Sequence, residues 1–518
     1  MSAQGNAKVW ILANATSDDS VNLAKHYAAT RNIPEGNIIS LSMPEKETIN
    51  FNQYINLIYN PLLRALHEQG AMNIIFDQKK DALGREKFLF VSHDIEYLVP
   101  CFGVPLKFGH APKLAEVDGP ALPKQFNTFR AAVDSDLSLI PINNSRMLGP
   151  LDNPLFNQKN PGLMRRRAVI RISRLDGPDF ATSKALVDRA IEGETQGLWG
   201  RALIDIGGPH KQGDQWFNAL KDSVVQDRWE LSEKPGKQRF AIGDRTEDAA
   251  IYFGWYTKEA DGPFKETDYS FARGAIGFHL HSSSAGSLRT RNRHWTPTLI
   301  DRGITATIGN VFEPYLHLTH QPQMIYAALR EGKTWGEATY YALTGLSWQA
   351  ISIGDPLYRP FPGGLESARA RESTHPYASI LEMRERAKSF GNDSAIEYGL
   401  SILNKSADPS LLIEVARLQA TQDKKQALTT LQTRAPLETL KEANIPLPIT
   451  LEIAELNAAW GDTSTALKIF DVLIKEDSNT PRQNAIKARG RKIAMKAADL
   501  ERADKWAPPP APKAEDTP

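Results

Sequence analysis

One histidine–serine cluster and three separated carboxylates are the candidates for chemistry in this sequence. His279-Leu280-His281-Ser282-Ser283-Ser284 closes a short apolar run, 274–280, and opens a polar loop. Ser282 or Ser283 becomes a nucleophile if a base takes its proton, and His281 is the nearest base in the chain. Adjacent residues on a strand point to opposite faces, which works against His281 reaching Ser282. The same turn could bind a ligand through hydroxyls and backbone N–H groups, or be only a polar exit from a strand. By alternation His279 and His281 share a face, and one of them is expected to be a packed, hydrogen-bonded histidine.

Asp205, Glu313 and Asp355 offer a second route. Each follows an apolar run, and the carboxyl ends of strands in open α/β sheets form ligand crevices. A paired-carboxylate hydrolase needs two of them sharing a proton or flanking a water. Asp355, in Gly354-Asp355-Pro356, equally suits a turn, and Glu313, before Pro314, equally suits a cap or an ion pair. Trp255, Tyr256 and Tyr315 place aromatic surface near the same rim, for stacking on a sugar or peptide or for packing. His279 and Asn310 join them as candidate substrate contacts. His279, His281, Glu313 and Asp355 lack a compact metal-ligating spacing, and no phosphate-loop or dinucleotide motif occurs, so neither metal nor cofactor is expected. Three arginines, Arg165-Arg166-Arg167, precede a strand and are expected to be solvated or paired.

These residues need a scaffold of strands and helices. Apolar runs at 8–12, 37–41, 97–105, 168–172, 201–208, 249–253, 274–280 and 304–308 read as strands, separated by amphipathic stretches such as 20–31, 52–69, 182–194 and 215–226. Two rounds of strand and helix predict an α/β fold with two packed parallel-sheet subdomains, 1–196 and 197–364. Residues 365–503 are helix-forming and strand-poor. There 451–476 reads as helix, a Gly461-Asp462 turn and helix, similar to a tetratricopeptide unit. Residues 504–518, rich in proline and charge, are expected to be disordered.

At 518 residues the chain exceeds one compact core. Its 62 basic and 61 acidic residues carry none of the basic excess of a nucleic-acid binder. Cys101 is the sole cysteine, which excludes an internal disulfide; on an apolar strand it reads as a buried small residue. No apolar run reaches the roughly 20 residues that span a bilayer.

Four stretches carry a resemblance to a known family. The run from Val169 to Glu194, with Ser173-Arg174, resembles the end of the first subdomain of gingipain-type proteases. Ile353-Gly354-Asp355-Pro356-Leu357 resembles the close of the second, and Arg302 to Gly309 the strand beyond the nucleophile. The opening around 20–37, with Gly254-Trp255-Tyr256, Glu313-Pro314-Tyr315 and Gly354 to Phe361, is similar to an uncharacterised group of exported bacterial proteins. The resemblance covers roughly 8–362. It implies a gingipain/caspase-like core in which His-Gly would end one strand and Cys the next. Trp255-Tyr256 stands where that histidine belongs, and His281-Ser282-Ser283 where the cysteine belongs.

The expected function is an exported, peptidase-like hydrolase using serine or paired carboxylates on a protein or glycoprotein. The alternative is an inactive pseudoprotease that binds protein or glycan, with the helical region as a possible site for a protein partner. Secreted or periplasmic placement is expected, with a signal segment removed; a cytoplasmic protein is the alternative.

Overall fold

A computed structural model describes residues 6–115, 122–142, 146–437, 440 and 445–508. It divides into two compact units, Met1–Gln238 with Asp248–Arg371, and Arg239–Glu247 with Glu372–Pro518. Both expected α/β subdomains thus fall in the first unit. The short segment Arg239–Glu247, drawn from between two strands, belongs to the helical one.

The first unit is assembled on three pieces of sheet. Strands β1 (Val9–Asn14), β2 (Ile38–Leu41), β3 (Tyr97–Pro100) and β4 (Arg171–Ile172) lie parallel in the order β4-β3-β1-β2. Strands β5 (Arg201–Asp205), β6 (Glu230–Lys234), β7 (Ala249–Gly254) and β8 (Ile276–His279) lie parallel in the order β6-β5-β7-β8. Between them β9 (Thr307–Asn310) and β10 (Ala350–Ile353) pair antiparallel. Parallel bridges join the pieces, Arg174 to Ile353 and Ile276 to Ala306. At the first, the Gly354 N–H donates to the Arg174 carbonyl at 2.9 Å; at the second, the Gly277 N–H donates to the Ala306 carbonyl at 3.1 Å. The ribbon therefore reads β2-β1-β3-β4-β10-β9-β8-β7-β5-β6, with one antiparallel seam, β10/β9, between two parallel halves of opposite direction.

That seam was not foreseen from the sequence, where residues 350–353 lead into a turn. The central strands are buried on both faces, as parallel sheets covered by helices require: every residue of β1, β5 and β7 is buried. The helix Asp18–Arg31 is capped by Ser17, and the Ser20 hydroxyl accepts the Asn14 N–H. Phe180–Gln196 begins after Asp179, whose carboxylate accepts the Thr182 N–H in a capping box.

In the second unit each helix packs on the next, from Pro376–Phe390 and Asn392–Leu403 through to Thr480–Lys496. The predicted turn lies between Leu447–Ala459 and Thr463–Glu476; Gly461 takes φ of 112° and Asp462 caps the following helix. Buried Glu452 receives both Arg245 and Arg417, which ties the Arg239–Glu247 segment to these helices. Leu500–Lys505 is helical, so the expected tail at 504 starts inside a helix; residues 509–518 lie outside the described residues.

Candidate functional site

The carboxyl ends of β7, β8 and β9 converge on a cavity of about 60 Å³. Tyr256, His281, Ser282, Asn310, Glu313 and Tyr315 line it, with His210 and Thr319 added by the fold. Placement there follows from strand order: three neighbouring strands of one half release their chains on the same edge.

His281 is half-buried, its ring centroid 4.4 Å from that of Tyr256. Its Nδ1 contacts the Ser282 carbonyl oxygen, so Nδ1 carries the hydrogen and donates it. Burial lowers its pKa below the ordinary histidine value, against the opposing pull of that carbonyl and the Glu313 carboxylate. The imidazole is thereby kept neutral and fixed in one tautomer. Ser282 Oγ lies 3.5 Å from the Tyr256 hydroxyl. Among the described residues no imidazole or carboxylate is hydrogen-bonded to the hydroxyl of Ser282 or of Ser283.

Ser283 sits in the left-handed region, φ 53°, and its N–H donates to the Phe312 carbonyl at 2.8 Å. It does not line the cavity. Ser284 is buried and its hydroxyl accepts the Asn310 N–H at 3.1 Å. Asn310 is only 1% exposed. Its Nδ2 donates to the His281 carbonyl at 3.1 Å, which fixes the orientation of the amide. Its Oδ1 has no hydrogen-bond partner among the described residues. A buried acceptor left unmade is costly, so this cavity wall suits an N–H or O–H donor, from water or from a ligand. A volume near 60 Å³ holds the tip of a ligand, since water takes about 30 Å³ in the liquid.

Besides Ser283, three expected site residues, His279, Asp205 and Asp355, lie outside the cavity, and Trp255 meets it only at its edge. His279, 1% exposed, is the packed histidine of the pair: it stacks on Trp295 at 3.7 Å, faces the Tyr252 hydroxyl through Nδ1 at 2.8 Å and accepts the Thr257 N–H through Nε2 at 3.0 Å. Trp255 reaches the cavity edge, yet it is 1% exposed. Its indole stacks on Phe217 at 5.8 Å and donates to Asp214 Oδ1 at 3.1 Å, so its ring is core packing and no stacking platform. A Cβ on Gly208 or Gly213 would come within 2.1 Å of that ring, which is why glycine stands at both. Asp205 is buried at the end of β5 and is not among the cavity residues; its backbone carbonyl accepts the Trp255 N–H at 3.2 Å.

Asp355 is fully buried in an ion pair. Its Oδ2 accepts Arg31 Nε at 2.5 Å, and its Oδ1 accepts the Tyr27 hydroxyl at 2.7 Å and the Leu357 N–H at 2.9 Å. Of the three candidate carboxylates only exposed Glu313 borders the cavity, so no carboxylate pair forms there.

The sequence hid two supports of the serine loop. Lys107 Nζ donates to the carbonyls of Gly286 at 2.5 Å and Val311 at 3.2 Å. Glu47 accepts the Ser287 hydroxyl at 2.5 Å and the Leu288 N–H at 2.6 Å. Both lie outside the ten-strand ribbon, in the N-terminal part of the chain, and nothing local marks them.

Among the described residues no group of three or more His, Cys, Asp or Glu side chains could hold a metal ion, and no helix is long and apolar enough to cross a membrane. In comparisons with known proteins, no family model, no curated protein and no solved structure matches the chain.

Proposed function

We propose that this chain is a binding protein, a gingipain/caspase-like core without the cysteine–histidine pair, that grips a peptide or glycan outside the cytoplasm. The observation that carries this reading is at Ser282. Among the described residues its hydroxyl is hydrogen-bonded only to a phenol, while the imidazole beside it spends Nδ1–H on the serine's own carbonyl. Nucleophilic serine chemistry needs a base on the hydroxyl. The features that remain are those of recognition: an unpaired buried acceptor in Asn310, exposed rings of Tyr256 and Tyr315, and the Glu313 carboxylate at the rim. The ligand group that satisfies them carries N–H or O–H donors and slides between two tyrosines. The helical unit, tetratricopeptide-like in its hairpins, offers a second surface for a protein partner.

A serine hydrolase is the second reading, favoured by one observation: His281 shares the cavity with Ser282 and burial keeps it neutral, hence able to accept a proton. One experiment separates the two. Peptide and glycan arrays are probed with the full chain, and casein and mucin are offered for turnover. Binding that falls about tenfold in Tyr256→Ala and Asn310→Leu, with no cleavage, supports the binding reading. Cleavage that stops in both Ser282→Ala and His281→Ala overturns it in favour of the hydrolase.

A further inference from the structure

We propose that a second cavity, remote in sequence from the serine loop, is a binding site for a small organic oxyanion, a phosphate- or carboxylate-bearing metabolite. The cavity measures about 310 Å³. That lies at the lower end of small-molecule sites, roughly 300–1,000 Å³. Lys159, Arg166, Arg171 and Lys333 contribute cations to its lining; Glu96, Glu331 and Glu337 contribute carboxylates.

The two sets of charges are not equally available. Glu331 is held by Lys159 at 2.5 Å. Glu337 accepts the Thr334 N–H at 2.9 Å as part of a helix cap, with Arg359 at 3.8 Å. Among the described residues neither Arg166 nor Lys333 has a hydrogen-bonded carboxylate. Arg171 is the telling residue. It is 6% exposed, and its nearest carboxylate oxygen, on Glu96, stands 3.7 Å away, beyond hydrogen-bond reach. Its other neighbour is the Tyr97 ring, 5.8 Å from the guanidinium carbon.

A guanidinium has five N–H donors, and no Arg171 nitrogen is both buried and unpartnered, so the donors without a protein acceptor among the described residues open onto the cavity. Other buried arginines of this chain show what satisfaction looks like: Arg174 takes Asp134 at 2.7 and 2.8 Å and Asp176 at 2.8 Å. Arg171 lines an open cavity instead of meeting such a partner. The planar fork matches the paired oxygens of a phosphate or carboxylate, and Arg166 and Lys333 supply the second and third positive charges. Exposed Arg166, from the arginine run ahead of β4, and Arg171, in β4 itself, both line the cavity.

The test is calorimetric titration of the full chain with inorganic pyrophosphate and, separately, with citrate. One saturable site is expected, weakened about tenfold or more by the combined rim variant Arg166→Gln/Lys333→Gln and more by Arg171→Gln. Arg166 is exposed and Lys333 only partly buried, so that variant keeps its fold if Arg171→Gln does not. Glu96→Gln, which removes a competing carboxylate, should tighten binding. Preference for pyrophosphate assigns the site to phosphates, and preference for citrate to carboxylates. Absence of saturable binding by either up to about 10 mM overturns the proposal, as does equal affinity in wild type and rim variant.

Discussion

Replacing Asp355 by asparagine should unfold the first unit far more readily while leaving the cavity chemistry alone. The perturbation is nearly isosteric. Oδ1 must go on accepting the Tyr27 hydroxyl and the Leu357 N–H, so the new amide N–H₂ is forced into the place of Oδ2, facing Arg31. A donor then meets a donor, and a guanidinium 6% exposed loses one of its two counter-charges. Glu194 remains, at 2.7 and 3.1 Å, and spares Arg31 complete isolation. Breaking a buried pair by removing one partner costs about 3–5 kcal/mol. With Glu194 retained the lower end applies, about 3 kcal/mol, or some two orders of magnitude in the unfolding equilibrium. Urea unfolding followed by tryptophan fluorescence reads this directly, and Arg31→Met with the double variant gives the coupling. A loss below about 1 kcal/mol would refute the structural role. So would an Asp355→Asn protein of full stability that has lost ligand binding or turnover, since that result would return Asp355 to the functional site.

His320 is 1% exposed, its Nδ1 has no partner among the described residues, and burial pulls its pKa down to about 3. The folded state therefore rejects a proton that the unfolded chain accepts near pH 6.5. Stability is complete above that value and falls by up to about 1.4 kcal/mol per pH unit below it, towards pH 3. His320→Gln should flatten this slope in urea titrations at pH 8, 6 and 5, and an unchanged slope would contradict it. Cys101 is fully buried and burial raises its thiol pKa; iodoacetamide should label it only in denaturant, and labelling of the native chain within minutes would show otherwise. Gly213→Ala drives a Cβ into the Trp255 ring, and a loss of about 1–3 kcal/mol with altered indole fluorescence is expected; an unchanged melting curve would count against the packing described.

Local signals carried some elements and failed at others for physical reasons. The apolar runs behind β1, β5, β7 and β8 are legible because each strand is buried on both faces, and the edge occupied by Tyr256, His281 and Ser282 follows from strand direction. Residues 304–308 read as a strand, but pairing with β10 shifts it to Thr307–Asn310 and puts Asn310 on the sheet. The fate of a carboxylate was not legible. Asp355 reads as a turn former or a catalyst because its cation lies 324 residues earlier in the chain. Lys107 and Glu47 were silent for the same reason: a surface-looking charge acquires its role only when a distant loop folds over it. Of His279 and His281, alternation showed that both share a face, yet only Trp295 and the Thr257 N–H decide which one is packed.

The order of the ribbon has a consequence for synthesis. β10 is the last strand of the chain to emerge and it lies against Arg174 of the N-terminal half. The first half of the sheet therefore waits, one edge uncovered, until residue 353 has left the ribosome. An uncovered edge invites pairing with a neighbouring nascent chain. A chain cut short before Ala350 should accumulate as an aggregate, whereas one ending after Arg371 contains every strand of the ribbon.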